Sequence, residues 1–200
     1  MFGRIIRADF SRNRLITVII VLFVAAASLL VALSVMLAWE LTGAYDTLAA
    51  EAKPSHFLQL HKGEIDLARL EKFAEQEPMV DAYEVMQFLN IENARITLGD
   101  KPMTDSVQDH GFTTQSEQFD YLVGLYGEVL YPAPGEIYVP VCYYRDGTVK
   151  AGDTAVVAGR TFVVAGFLRD SQMNSMLASS KRLLINPEDF DALKREGQME

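Results

Sequence analysis

The sequence is poor in cysteine and lacks the short motifs that mark common enzymes. Cys142 is the only cysteine in 200 residues, so no intrachain disulfide can form and an apolar core has to stabilise the folded part. No G-x-x-x-x-G-K-[ST] phosphate loop, H-E-x-x-H helix or G-x-S-x-G elbow occurs. We therefore expect a chain that is not an enzyme and has no catalytic, cofactor-binding or metal-binding residues.

Three small groups of residues come nearest to a chemical site, and each lacks a partner. They are a histidine pair, an acidic cluster and a serine cluster: His56 and His61; Asp105, Asp109 and His110; Ser175, Ser179 and Ser180. The histidines have no third zinc ligand nearby, the acidic cluster has too few carboxylates for calcium, and the serines have no recognisable base. Aromatic residues between 119 and 144 could line an apolar groove, but core packing explains them equally well.

Positive charge is scarce beyond the first fourteen residues. The chain has 18 Lys and Arg against 27 Asp and Glu, a net charge of −9. Residues 1–14 carry four Arg and one Asp, or +3, and residues 15–39 carry no charge, so −9 − 3 leaves −12 for residues 40–200. Such a surface repels phosphate backbones, and we expect no nucleic-acid partner.

A long uncharged run over residues 15–39 predicts a transmembrane helix. At about 1.5 Å per residue it reaches roughly 37 Å, enough to cross a hydrocarbon core of ~30 Å. A buried soluble helix and a cleaved signal peptide are the alternatives. The run is longer than a signal peptide needs, and Trp39 suits a membrane interface, which favours a retained anchor. The excess of Arg before the run predicts a cytoplasmic N-terminus in the cell membrane, with residues 40–200 outside.

The segments on either side of this run are predicted to be helical. Residues 1–14 fit a cytoplasmic amphipathic helix on membrane lipid, with Phe2 and Phe10 among its apolar side chains. Residues 40–55 fit a helical stalk and linker that ends near Lys53-Pro54, because proline disfavours helix at the residue before it. Small residues within the span offer a surface for another membrane helix, although alanine is common in such helices.

Residues 56–200 alternate strand and helix patterns, which predicts one α+β domain outside the membrane. A helix is predicted over residues 65–76, and another begins after Asn186, with Pro187 in its first turn. Residues 99–136 are poorly periodic and predict a loop-rich insertion. The predicted strands are residues 56–60, 83–91, 94–98, 137–141, 154–157, 161–167 and 182–185.

Three segments late in the chain carry a family resemblance. They are residues 135–140 (GEIYVP), 150–154 (KAGDT) and 159–167 (GRTFVVAGF). In this order, and after an Arg-rich segment and a membrane span, they resemble the permeases of the FtsX/MacB-like superfamily of ABC transporters. The resemblance implies a domain of the MacB periplasmic type. Because those permeases continue with three more transmembrane helices, this chain corresponds to their N-terminal part.

The resemblance also implies a function and its partners. In this family a separate cytoplasmic ATPase subunit hydrolyses ATP, and the outer domain moves in response, a coupling called mechanotransmission. The expected partners are that ATPase, other permease copies or the remaining transmembrane helices, and a peptide, lipoprotein or antibiotic substrate. The main alternative is a single-pass membrane-anchored binding or sensor protein, and an anchored hydrolase is a third hypothesis.

Overall fold

The computed structural model describes residues 14–173, 177–195 and 198–199, and the chain divides into two compact units. The first unit is Met1–Thr47 and the second is Leu48–Glu200. Helix α1, Arg14–Ala52, occupies the described part of the first unit, and its last five residues belong to the second. The helix predicted over residues 1–14 lies outside the described residues, apart from Arg14.

Helix α1 is long and apolar enough to cross a membrane. Its most apolar 18-residue window has a mean hydropathy of 3.0, and none of that window is buried among the described residues. Ser28 and Ser34 donate hydrogen bonds of 2.8 Å to the carbonyls of Val24 and Leu30 one turn earlier, so their hydroxyl groups are satisfied within the helix. The helix covers the predicted apolar run and continues without a break to Ala52.

The second unit is built on one mixed sheet, which confirms the α+β class. In the described residues its nine strands are β1 Leu89–Ile91, β2 Ile96–Leu98, β3 Lys101–Pro102, β4 Asp109–Thr113, β5 Glu136–Pro140, β6 Thr154–Val157, β7 Arg160–Leu168, β8 Ser180–Ile185 and β9 Gln198–Met199. Their order is β3-β2-β6-β7-β5-β8-β4-β1-β9. Strands β5 and β7 are parallel, as are β4 and β8, whereas β8 runs antiparallel to β5.

Three short helices accompany the sheet. They are α2 Leu67–Gln76, α3 Val141–Arg145 and α4 Pro187–Leu193. The first and third of these helices agree with the sequence prediction. Their first turns are stabilised by N-caps: Asp66 accepts from the amide of Arg69 at 3.0 Å, and Asn186 accepts from that of Glu188 at 2.9 Å. Helix α3 is absent from the sequence prediction, which ends a strand at residue 141 and assigns no helix to the residues that follow.

The larger core lies on the face of the sheet that receives α3 and α4. Tyr143 and Phe190 come from the helices, while Ile137, Phe162 and Leu183 come from the strands. The β6–β7 hairpin turns at Ala158 and Gly159, both with positive φ. The pairing of β5 with β7 shifts by one residue after Ile137, which brings Gly166 opposite Tyr138. Before the shift, Phe162 and Val164 of β7 face the larger core; after it, Phe167 does.

Residues 114–135 cover part of the opposite face of the sheet. Leu122 and Leu130 pack there against Leu168 and Leu184. The stretch 99–136 also contains β4, which lies between β8 and β1 inside the sheet. Residues 99–136 therefore contribute to the core of the unit. Their sequence is poorly periodic because most of them pack as irregular chain.

Two strand predictions differ from the structure. The strand predicted over residues 56–60 is wrong, since this segment is irregular and exposed. The strand predicted over residues 83–91 is reduced to Leu89–Ile91. In both places the side chains alternate as in a strand, but no neighbouring strand supplies the backbone hydrogen bonds that stabilise one.

Candidate functional site

The last turn of helix α1, which belongs to the second unit, is held by backbone hydrogen bonds within that unit. Lys53 has φ 48° and precedes Pro54, which ends the helix. The carbonyls of Ala52 and Lys53 then accept hydrogen bonds of 2.7 Å from the amides of Tyr121 and Asp120. These two bonds satisfy carbonyl groups that a helix terminus otherwise leaves unpaired.

Side chains reinforce the same attachment. Leu48 and Ala52 form a small buried cluster with Val123. Glu51 accepts a hydrogen bond of 2.7 Å from Arg169, whose Nε also donates to the carbonyl of Gly124 at 3.0 Å. The pair is partly exposed, at 23% for the Arg169 side chain and 27% for Glu51. The ion pair therefore contributes little to stability, and its main effect is to fix the position of Glu51 relative to Arg169.

A buried ion cluster lies directly behind this attachment. Arg182 on β8 donates two hydrogen bonds of 2.6 Å to the carboxylate of Asp170, and Nη1 donates another of 2.6 Å to Asp120. The side chains of Arg182 and Asp120 are 6% exposed and that of Asp170 is 2% exposed. Ser171 donates a further bond to Asp120 at 3.2 Å. Two carboxylates around one guanidinium leave the cluster with one net negative charge.

The cluster is ionised, and its charges hold one another in place. Burial raises the pKa of Asp170, but the charge of Arg182 and hydrogen bonds from Arg182, Met173 and Gln172 outweigh that effect and hold the pKa below its ordinary value. Burial lowers the pKa of Arg182. Asp170 and Asp120 raise this pKa by more than burial lowers it, so the net shift is upward. Removing one partner would leave a buried unpaired charge, which is strongly destabilising.

Two short segments join the helix end to the ion cluster. Asp120 binds Lys53 through its backbone amide and Arg182 through its carboxylate. Arg169 pairs with Glu51, and the next residue, Asp170, pairs with Arg182. We call the set Glu51, Ala52, Lys53, Asp120, Arg169, Asp170 and Arg182 the helix-end junction. It connects the last turn of α1 with β8 in the middle of the sheet.

The predicted chemical residues are not assembled into a site. His56 and His61 are exposed on the irregular segment after Pro54. Ser179 and Ser180 lie beside Asp109, which pairs with them through the backbone, and Ser175 lies outside the described residues. Within the described part of the chain, no group of three His, Cys, Asp or Glu side chains is arranged to hold a metal ion.

His110 is separated from its predicted acidic neighbours and lies in the core. Its two ring nitrogens contact Asn93 Oδ1 and Tyr143 Oη, each at 2.6 Å. Burial lowers the pKa of His110 to about 4, with Asp109 opposing the shift and Lys181 adding to it. The ring is therefore neutral near pH 7 and serves as a hydrogen-bonding element of the core.

An open groove of about 640 Å³ lies between α2 and residues 80–85. Its apolar part includes Leu67, Ala74 and Val80, and its rim carries four carboxylates, from Glu71, Glu75, Asp81 and Glu84. The aromatic residues between 119 and 144 are not among its lining residues; Tyr143 is buried elsewhere, and Tyr126 is 93% exposed.

Sequence reasoning missed both features for different reasons. The junction joins residues more than a hundred positions apart, such as Glu51 and Arg169, and only the fold brings them together. The groove had a signal, because the apolar and acidic faces of α2 are readable from its helical spacing. No family model, curated protein or solved structure matches the chain at significant similarity.

Proposed function

We propose that this chain is the N-terminal portion of an ABC transporter permease of the FtsX/MacB-like type. In this proposal α1 is the first transmembrane helix and the second unit is an extracytoplasmic domain. A separate cytoplasmic subunit hydrolyses ATP, and the domain converts the resulting helix movement into substrate export, substrate release or regulation of a partner. The chain itself carries out mechanotransmission without catalysis.

The observation that carries the proposal is the helix-end junction. A tether needs only a flexible linker, but here the helix runs unbroken to Ala52 and its terminal carbonyls are hydrogen-bonded to Asp120 and Tyr121. The Glu51–Arg169 and Asp120–Arg182 contacts continue from there into β8. A displacement of the last helical turn would therefore be transmitted to β8 by these hydrogen bonds and ion pairs, whereas a flexible linker would absorb it.

The segments that carry the sequence resemblance support the same proposal through their structure. Gly152 has φ 89°, which suits the tight turn before β6. Phe162 and Val164 fill the core from β7, as expected for the alternating part of the pattern.

Purification of the tagged chain from the membranes of its source organism would test the proposal. We expect a P-loop ATPase to copurify at comparable amounts and to hydrolyse ATP in a vanadate-sensitive manner. A fluorophore on Val107→Cys, a position that is 96% exposed, should then report a change on addition of ATP. Recovery of the chain without any nucleotide-hydrolysing subunit would refute the permease proposal.

A paired substitution tests the junction itself. Glu51→Gln with Arg169→Gln removes the ion pair but keeps side-chain size, and we expect it to reduce the ATP-dependent signal while the ATPase still copurifies. Asp191→Asn with Lys194→Gln is the matched control, because it removes a largely exposed ion pair at the C-terminal end of α4, away from the junction. An equal signal in both variants would show that the junction does not transmit the movement.

The second candidate function is that of a membrane-anchored binding or sensor protein. The open groove beside α2 favours it, since a purely mechanical domain has no need of an uncovered apolar surface. Copurification separates the two candidates, because a sensor complete in one span would be recovered without an ATPase.

A further inference from the structure

Helix α2 is an amphipathic helix whose apolar face is covered only in part, since Leu70 and Ala74 are half-buried and its other described residues are exposed. It has ten residues, and none is buried. Leu67 is 59% exposed and Phe73 55%, although both are large apolar side chains. A helix of this length is marginal by itself in water, and in most proteins packing of the apolar face supplies the missing stability.

The surrounding segment is only loosely connected to the sheet. Among the described residues, no hydrogen bond joins residues 56–83 to any residue outside that stretch. The first contacts after it are made by Glu84, whose carboxylate accepts from the amides of Glu117 and Gln118 at 2.8 and 3.2 Å. The segment thus presents α2 beside the extended residues 80–85 and leaves the groove between them open.

The charge of the groove selects its partner. Glu71, Glu75, Asp81 and Glu84 contribute four carboxylates, and none of the described lining residues is basic. The apolar residues Leu67, Ala74 and Val80 line the same groove. A second copy of this chain is a poor occupant because its net charge is −9, and an anionic membrane surface is repelled for the same reason.

We propose that this groove binds a basic amphipathic helix of a partner protein. The apolar side of that helix would cover Leu67 and Val80, and Lys or Arg on its flanks would face the four carboxylates. Ten residues of α2 extend over roughly 15 Å, which matches about three turns of the partner. The inference does not depend on the permease assignment, since the groove would take the same partner on a sensor protein.

The test uses the full chain in zwitterionic nanodiscs and a defined probe. The probe is a labelled peptide of about 18 residues with Leu at helical spacing and Lys elsewhere, and its counterpart has Glu in place of every Lys. We expect the Lys peptide to bind saturably and more than it binds to empty nanodiscs, and we expect this binding to weaken as the salt concentration rises. The Glu peptide should not bind. A photoreactive group on the Lys peptide should cross-link to α2 or to residues 80–85.

Charge reversal in the groove gives the decisive comparison. Glu71→Lys with Glu75→Lys should weaken binding of the Lys peptide by at least about tenfold, because opposite charges across an interface become like charges. Glu92→Lys with Asp105→Lys is the matched control, since both carboxylates are exposed outside the groove and the net charge changes equally. Equal weakening in the two variants would overturn the proposal, because overall charge alone would explain binding.

The apolar contribution is tested in the same way. Leu67→Ser should weaken binding several-fold, whereas Val107→Ser, at an exposed position elsewhere, should leave it unchanged. Both side chains are exposed, so neither substitution removes core packing. Cross-links outside the groove, binding of the Glu peptide, or self-association of the chain through α2 in place of peptide binding would each contradict the proposed occupant.

Discussion

At the scale of single residues, burial decides which polar side chains matter. His110 was grouped with Asp105 and Asp109 because they are close in sequence. The structure instead turns it toward Asn93 and Tyr143. Arg182 was read only as the first residue of a strand, yet it is the centre of the buried ion cluster. Neither environment can be predicted from the sequence, because each depends on strand register and on residues far along the chain.

His110 should make the folded state sensitive to mild acid. Its pKa is about 4 when folded and about 6.5 when exposed, so below pH 6.5 the unfolded chain takes up a proton that the folded chain does not. The stability from the neutral ring is complete above pH 6.5 and declines as the pH falls toward 4. We expect a loss of roughly 2–3 kcal/mol between pH 7 and pH 4.5.

Chemical denaturation of wild type and His110→Gln at the two pH values measures this loss. The variant should lose less stability over this range, because its side chain takes up no proton and the other acidic groups are the same in both proteins. His56→Gln is the control, since His56 is exposed. The same pH dependence in wild type and His110→Gln would show that His110 titrates normally in the fold.

At the scale of secondary structure, prediction succeeded where the local sequence is decisive. Helix α1 follows from its uncharged run, and strands β6 and β7 follow from their alternating pattern. It failed where a partner element is required. Residues 56–60 alternate like a strand but have no neighbour, and β4 is an inner strand within an aperiodic stretch.

Strand β7 allows a direct test of which of its side chains face the core. Phe162 is 2% exposed and belongs to the main core, whereas Thr161 beside it is exposed. Phe162→Ala should therefore lower the free energy of unfolding by about 3–5 kcal/mol. Thr161→Ala should cost about 1 kcal/mol or less. Denaturation of residues 40–200 measures both, and small equal losses would be inconsistent with the assigned faces.

At the scale of the whole molecule, the sequence indicated an apolar helix and an α+β unit, but not the contacts that hold residues 48–53 within that unit. The helix-end junction combines residues from the end of the helix, from the irregular chain around Asp120 and after β7, and from one strand, β8. No local pattern marks them as neighbours. The strand order was equally inaccessible, because β8 lies between β5 and β4, and its place is determined by contacts across 40 to 70 residues of chain.

The proposed membrane orientation is open to a labelling test. The excess of Arg before α1 predicts a cytoplasmic N-terminus, with the second unit outside. Single cysteines at Ser11 and at the exposed Val107 serve as reporters, and buried Cys142 is replaced by Ser. An impermeant thiol reagent added to intact cells should label Val107→Cys and leave Ser11→Cys unlabelled until the membrane is opened. The reverse pattern would invert the orientation.

The central position of β8 has a consequence for how the second unit forms. Before Ser180–Ile185 is available, the sheet consists of two separate pieces, one ending at β5 and the other at β4. Each piece then has an unpaired strand edge, which is the kind of surface that pairs wrongly with other chains. We therefore expect folding of this unit to be completed only after β8 has been synthesised, with the edges at β5 and β4 open to wrong pairing until then.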